Sequence, residues 1–208
     1  MIVSSMNTCE LVKEILLDIV SVNRKAKYLL GECRRMAVKS KDKSYYHLFE
    51  YKSNRQNNWL IEIKYFKGQP TYKTIVYYLN EHGMKALLIG ADPRFYWFTP
   101  HFLKRYNERF LKQENISKTE LLKRFILGNK AGVADFNETD QSILCRFTEG
   151  IALGHLEIVN NQINLFHLQT FISDQMVFDE QQHSIERASK HDDVYCKYLK
   201  KRTGLKSL

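Results

Sequence analysis

The sequence predicts an α+β protein: an N-terminal helix with an antiparallel β-meander, then two helices and a second antiparallel sheet, closed by a C-terminal helix. Two observations carry this prediction. Apolar residues recur at helical spacing in a long stretch near the N-terminus and again after Pro100. Runs rich in aromatic and β-branched residues, separated by short turn segments, fill the rest of the first half and much of the second. Because the connections are short, neighbouring strands are expected to pair antiparallel.

The first element is a long amphipathic helix. Asn7 followed by Glu10 is typical of a capping box, in which each side chain accepts from the backbone of the other. The apolar repeat predicts a helix to about Gly31 or beyond, and its members are Leu11, Ile15, Ile19, Val22, Ala26 and Leu29. A basic tract from Arg34 to Lys43 closes the segment, either as the helix end or as a solvated loop.

Five strands are predicted next, each bounded by turn-forming residues. They are Tyr45–Lys52, Trp59–Phe66, Tyr72–Leu79, Met84–Ile89 and Phe95–Phe98. Their many aromatic side chains suit either base stacking or packing on a half-buried sheet, and packing is the commoner role.

Two helices and a second run of strands follow. The first helix is predicted from Pro100 to about Lys112, and the second begins at a Ser117-x-x-Glu120 capping box and ends at Gly128-Asn129. Four further strands and a C-terminal helix complete the prediction: Ala131–Phe136, Ser142–Thr148, Ile151–Val159, Ile163–Phe171 and the helix Asp179–Tyr198 with a basic tail. The expected organisation is therefore residues 1–98, residues 99–172 and residues 173–208.

Composition narrows the class of protein. The chain has 208 residues, 44% of them hydrophobic, which is enough for a real core in one or two domains. The 32 Lys and Arg outnumber the 23 Asp and Glu, and a net charge of +9 favours RNA or another polyanion as partner.

The cysteines and the apolar runs predict the compartment. Four dispersed cysteines form no C-x-x-C pair, so neither a zinc site nor a disulfide framework is expected. The sequence has no signal-peptide pattern and no run of about 18 apolar residues, the length that a membrane span needs. We therefore expect a cytoplasmic protein with no membrane association, no metal and no cofactor, although Asp135, Glu138 and Asp140 form a loop cluster without calcium-loop spacing.

The helix that opens at Thr99-Pro100 carries the strongest candidate site. Thr99 suits the N-cap and Pro100 the first helical position. His101, Arg105 and Arg109 follow at steps of four and are expected to share one face. A histidine in the first turn lies where anions are readily held, and two guanidiniums suit bidentate contact with phosphate. The alternative is that these residues simply form the solvated face of an amphipathic helix.

This order of elements resembles the metal-independent bacterial ribonucleases of the barnase–EndoU–colicin–RelE group, especially toxin-like members with a helical His-x-x-x-Arg-x-x-x-Arg. The resemblance covers roughly residues 99–172 and includes the strand ending Leu168-Gln169-Thr170-Phe171-Ile172. It implies a catalytic cleft lined by His101, Arg105, Arg109 and Thr170. The N-terminal helix and five-strand meander have no counterpart in that minimal fold.

The implied reaction is cleavage of RNA by its own 2′-hydroxyl, which gives a cyclic phosphate. A histidine would move the proton, and the two arginines would stabilise the extra charge on phosphorus. The candidates for the second acid or base are His155, Glu157 and His167. A three-residue loop at Asn160-Asn161 would place His155 opposite His167, whereas a two-residue loop would put them on opposite faces.

Two functions therefore remain open. The first is a metal-independent RNA endonuclease, with a cognate inhibitor protein as a second candidate partner. The second is a non-catalytic nucleic-acid-binding or interaction protein that uses the same basic face.

Overall fold

The computed structural model describes residues 1–41, 44–66, 68–90, 94–129, 133–137, 141–160, 163–173 and 176. The predicted C-terminal helix and basic tail lie outside these residues. The chain divides into two compact units. Unit 1 comprises Met1–Pro100 and Glu157–His167, and unit 2 comprises His101–Leu156 and Leu168–Leu208. The three predicted segments stay a prediction.

The order of elements confirms an α+β protein with an N-terminal helix. The helices are α1 (Thr8–Lys39), α2 (Pro100–Tyr106), a π-helical turn (Asn107–Leu111) and α3 (Lys118–Gly128). The strands are β1 (Ser44–Lys52), β2 (Asn58–Phe66), β3 (Gln69–Asn80), β4 (Gly83–Ile89), β5 (Arg94–Phe98), β6 (Val133–Phe136), β7 (Ser142–Phe147), β8 (Gly150–Val159) and β9 (Ile163–Ile172). No helix among the described residues is both long enough and apolar enough to cross a membrane.

Helix α1 begins and ends as its sequence dictates. Asn7 and Glu10 form the predicted capping box, with both side chain-to-backbone bonds present. The helix continues well past Gly31 to Lys39, so the first part of the basic tract is the helix end. Its buried side packs against the meander, because the apolar repeat returns to one face every three or four residues.

The strands of unit 1 form an antiparallel meander that continues beyond the prediction. The pairs β1–β2, β2–β3, β3–β4 and β4–β5 are all antiparallel, with Tyr51 opposite Trp59 and Leu87 opposite Trp97. The strand order then runs from β5 to β9 and β8. The predicted separate second sheet is therefore wrong for these two strands. Short turns determine which consecutive strands pair, but they carry no information about a strand that returns from far along the chain.

A buried polar network ties α1 to the turn between β1 and β2. The Asp18 carboxylate, 1% exposed, accepts from Ser53 Oγ (2.6 Å), Asn57 Nδ2 (2.8 Å) and Trp59 Nε1 (2.9 Å), all at Oδ2. One turn earlier, Glu14 accepts two bonds from the Arg55 guanidinium. The three donors to Asp18 thus each have an acceptor, which offsets the cost of withdrawing these groups from water.

Glu14 makes the stability of unit 1 depend on pH. The Arg55 guanidinium lowers the pKa of Glu14 from 4.5 to about 2, against the opposing effect of burial, with help from the N-terminal amine and Asn57. The contribution is therefore fully present above pH 4.5 and is lost as pH falls toward 2. We expect Glu14→Gln to flatten the fall of the free energy of unfolding across this range, measured by urea denaturation. The exposed-residue variant Glu81→Gln is the control, and equal slopes in wild type and Glu14→Gln would contradict the assignment.

Unit 2 packs its two helices around an aromatic core. Five aromatic rings pack edge to face, with contacting pairs at centroid distances of 5.0–5.9 Å. They belong to Phe102 and Tyr106 of α2, Phe125 of α3, Phe147 of β7 and Phe171 of β9. Helix α3 starts as predicted, with Ser117 Oγ accepting from the Glu120 backbone. The strand order in this unit is β9, β8, β7, β6. This core leaves the outer side of α2 for polar residues.

Candidate functional site

The structure brings two of the predicted site residues into direct contact. His101 lies in the first turn of α2, exposed to solvent, and Arg105 Nε donates to His101 Nε2 over 3.3 Å. Because a guanidinium only donates, His101 Nε2 is the acceptor of this bond. Arg105 also donates to the Glu108 carboxylate at 2.8 Å. The arginine is thus held between a proton-accepting nitrogen and a carboxylate.

The predicted continuous helix to Lys112 is interrupted after Tyr106. Residues Asn107–Leu111 form a π-helical turn, closed by a bond from the Lys112 N–H to the Asn107 carbonyl. Lys112 itself has a left-handed backbone with φ of 53°, which ends the helix. π-Helical turns are rare in proteins, and those that do occur are frequently found at functional sites. Arg109 lies within this turn, beyond the regular step of four that joins His101 to Arg105.

Arg109 is anchored to strand β9 through a neutral acceptor. Its Nη1 donates to the Phe171 carbonyl at 2.7 Å. This bond positions the guanidinium without cancelling its charge, which favours contact with an anion. Among the described residues the two arginines therefore differ, since Arg105 donates to a carboxylate and Arg109 donates to a backbone carbonyl.

Thr170 is not brought to the same side as the helix. The ring of Phe171 packs on Tyr106 and Phe102 of α2. Successive side chains of a strand point to opposite faces, so Thr170, next in the strand, projects away from α2. The expected meeting of His101 and Thr170 is not found, because sequence order alone did not determine which face of β9 the helix covers.

Two of the candidates for the second acid or base contact each other in unit 1. His167 Nε2 lies 2.6 Å from Glu157 Oε2. The His167 ring stacks on Trp97 with centroids 4.9 Å apart. Strand β8 ends at Val159 and strand β9 begins at Ile163, and Asn161 and Gln162 lie outside the described residues, so the choice between the two loop lengths stays a prediction. His155 belongs to unit 2, where it lies opposite Ser142 in the β7–β8 pair.

A polar cluster in unit 2 was missed by the sequence interpretation. The Glu149 carboxylate accepts from Tyr106 Oη (2.6 Å), Arg124 Nη2 (2.8 Å) and Asn129 Nδ2 (2.7 Å). Burial raises the pKa of Tyr106, and the nearby Glu149 carboxylate raises it further, so this phenol stays protonated as a hydrogen-bond donor. The only signal in the sequence was the pair Glu149-Gly150, which predicts an ordinary turn.

Gly150 shows why that turn needs glycine. Its φ of 157° is one that L side chains rarely adopt, and a Cβ atom there would overlap the Phe171 ring and reach the Ile172 carbonyl. The turn can therefore bring Glu149 close to α2 and α3 while β8 passes close to β9. This cluster supports the helix that carries His101.

No family model, no curated protein and no solved structure matches the chain. Among the described residues, no group of three His, Cys, Asp or Glu side chains is placed to hold a metal ion. Of the loop cluster named above, Glu138 and Asp140 lie outside those residues. The candidate site of this chain is therefore defined by the geometry of α2 and its neighbours.

Proposed function

We propose that the chain is a metal-independent RNA endonuclease whose acid/base group is His101 and whose phosphate-binding groups are Arg105 and Arg109. The observation that supports this most directly is the contact of Arg105 Nε with His101 Nε2. It places a cation beside a nitrogen that can accept a proton, on the outer side of one helix. Cleavage by an internal 2′-hydroxyl requires this combination, a base beside a fixed positive charge.

The proposed mechanism begins with an exchange of partners by Arg105. An RNA phosphate replaces Glu108 and His101 as the hydrogen-bond partner of the Arg105 guanidinium. His101 Nε2 is then free to accept the proton of the 2′-hydroxyl. That oxygen attacks the adjacent phosphorus, and Arg109, already oriented by the Phe171 carbonyl, stabilises the added negative charge. Bond formation to the 2′-oxygen and departure of the 5′-oxygen leave a 2′,3′-cyclic phosphate.

The departing 5′-oxygen needs a proton. His155 is the predicted second acid that belongs to the same unit as His101. Glu157 and His167 are paired with each other in unit 1 and are kept as alternatives. Thr170 has no role in this proposal, since its side chain projects from the face of β9 that α2 does not cover. The proposed partner is cytoplasmic RNA, with a cognate inhibitor protein as a second one.

Product chemistry tests the reaction. Incubated with single-stranded RNA in excess EDTA, the protein is expected to give fragments ending in a 2′,3′-cyclic phosphate, identified by mass spectrometry. DNA of the same sequence lacks the nucleophile and is expected to survive, as is 2′-O-methyl RNA. Cleavage that stops in EDTA, or DNA that is cut equally well, would rule out the mechanism.

A second candidate function is non-catalytic binding of nucleic acid through the same face. The observation in its favour is that both arginines already have acceptors within the protein, Glu108 and the Phe171 carbonyl. In this case RNA and DNA bind with strong salt dependence, through release of counterions, and neither is cleaved. Band shifts with intact nucleic acid would select this function over the first.

A further inference from the structure

A second cationic group lies in unit 1, on the other face of the meander from the one that α1 covers. Ile61 and Ile63 of β2 belong to the core with α1, so the alternating side chains of Glu62 and Lys64 project from the opposite face. Glu62 lies opposite Lys73 of β3, and Lys64 lies opposite Tyr46 of β1.

These four side chains form one cluster, which we call the Glu62 cluster. Lys64 Nζ and the Tyr46 hydroxyl are 2.9 and 3.1 Å from Glu62 Oε1, and Lys73 Nζ is 3.6 Å from Oε2. The carboxylate is almost fully buried, whereas Lys64 and Lys73 keep 33% and 29% of their side-chain surface exposed. The ammonium groups therefore lie between the buried acid and solvent.

The charges of the Glu62 cluster do not balance. Two ammonium groups share one carboxylate, which leaves one positive charge at a half-buried position. Burial lowers the pKa of Lys73, the Glu62 carboxylate opposes this effect, and the charge of Lys64 acts in the same direction as burial. A charge withdrawn from water is costly unless it is paired, so a second anion would stabilise this arrangement.

We propose that the Glu62 cluster binds a phosphate of single-stranded RNA, as a site in unit 1 separate from the His101 face of unit 2. This inference rests on the proposed function, since it takes RNA as the partner. Each ammonium group has three N–H donors, so Lys64 and Lys73 can donate to phosphate oxygens while they stay beside Glu62. Tyr46 is 39% exposed as a residue and offers a ring for base stacking, with Lys64 Nζ 5.1 Å from the ring centroid.

The test uses 2′-O-methyl oligouridine, which binds without being cleaved. Each cation that contacts a phosphate of a single strand adds about 0.7 to the slope of log K against log salt. Lys64→Gln and Lys73→Gln are each expected to lower that slope by about 0.7, as a single lost contact should. Lys52→Gln removes the same charge from an exposed position at the end of β1 and is expected to leave the slope unchanged.

Two further measurements do not depend on the lysine variants folding well. In the wild-type protein, bound oligomer should protect Lys64 and Lys73, but not Lys52, from acetylation read by mass spectrometry. Glu62→Gln frees both ammonium groups and is expected to tighten binding. Unprotected lysines, or weaker binding by a folded Glu62→Gln protein, would overturn the site.

The outcomes separate this inference from the proposed function. If Arg105→Gln and Arg109→Gln lower the salt slope while the Lys64 and Lys73 variants behave like Lys52→Gln, the Glu62 cluster is not a site and the His101 face stands. If the wild-type protein binds no oligomer at any salt concentration, RNA binding is refuted for both.

Discussion

Replacing His101 with alanine is expected to lower kcat/KM for single-stranded RNA by about 10²–10⁴-fold, the contribution typical of a positioned acid/base group. The fold should be unaffected, because His101 is exposed and its one described bond is to Arg105. Full activity of the variant would remove His101 from the mechanism.

The control for this experiment is a second exposed histidine. His82 lies on the turn between β3 and β4 with 75% of its side chain exposed, and His82→Ala should leave kcat/KM unchanged. A pH–rate profile adds a readout that a structural role would not change. The limb that reports the base should disappear in His101→Ala while it persists in His82→Ala.

The largest effect on stability is expected from Asp18→Ala. The change leaves Ser53 Oγ and Trp59 Nε1 buried without their acceptor, while Asn57 Nδ2 keeps only its longer bond to Glu14. Two such losses, at about 1–3 kcal/mol each, should lower the free energy of unfolding by about 2–6 kcal/mol. Leu17→Ala, at the exposed neighbouring position, is the control and should change it by less than about 0.5 kcal/mol.

Urea denaturation followed by circular dichroism measures both variants. An unchanged dependence on urea concentration would show that the same surface is exposed on unfolding, so that the midpoints can be compared. A loss below about 1 kcal/mol for Asp18→Ala would mean that water or another acceptor replaces the carboxylate.

Local features of the fold followed from the sequence. The capping box at Asn7, the helix start at Ser117 and the strands of the meander depend on neighbouring residues and on short turns, which a sequence states directly. The Asp18 network did not follow from the sequence. Its donors lie 35 to 41 residues further along the chain, outside the helix that carries Asp18. Nothing in a helical repeat indicates that one inward position will be a carboxylate that accepts from a distant tryptophan.

The candidate site was predictable only along one helix. The step of four joins His101 to Arg105 because an α-helix brings such residues together. The same spacing does not hold at Arg109, because the chain there forms a π-helical turn. The geometry of that turn depends on packing against the aromatic core and β9. The side of Thr170 could not be predicted either, because a strand's pattern does not say which of its faces a helix will cover.

The division of β8 and β9 between the two units has a consequence for synthesis of the chain. Unit 1 is discontinuous, since Glu157–His167 return to it after residues 101–156 have been made. Until that return, β5 lacks its neighbour β9 in the strand order, and an unpaired strand rich in aromatic residues is a template for misassembly. A nascent chain must therefore pass through a stage in which most of unit 1 is present and one strand edge is open. Chaperones that shield exposed edges would act at this stage, before the ribosome has delivered the segment that closes the sheet.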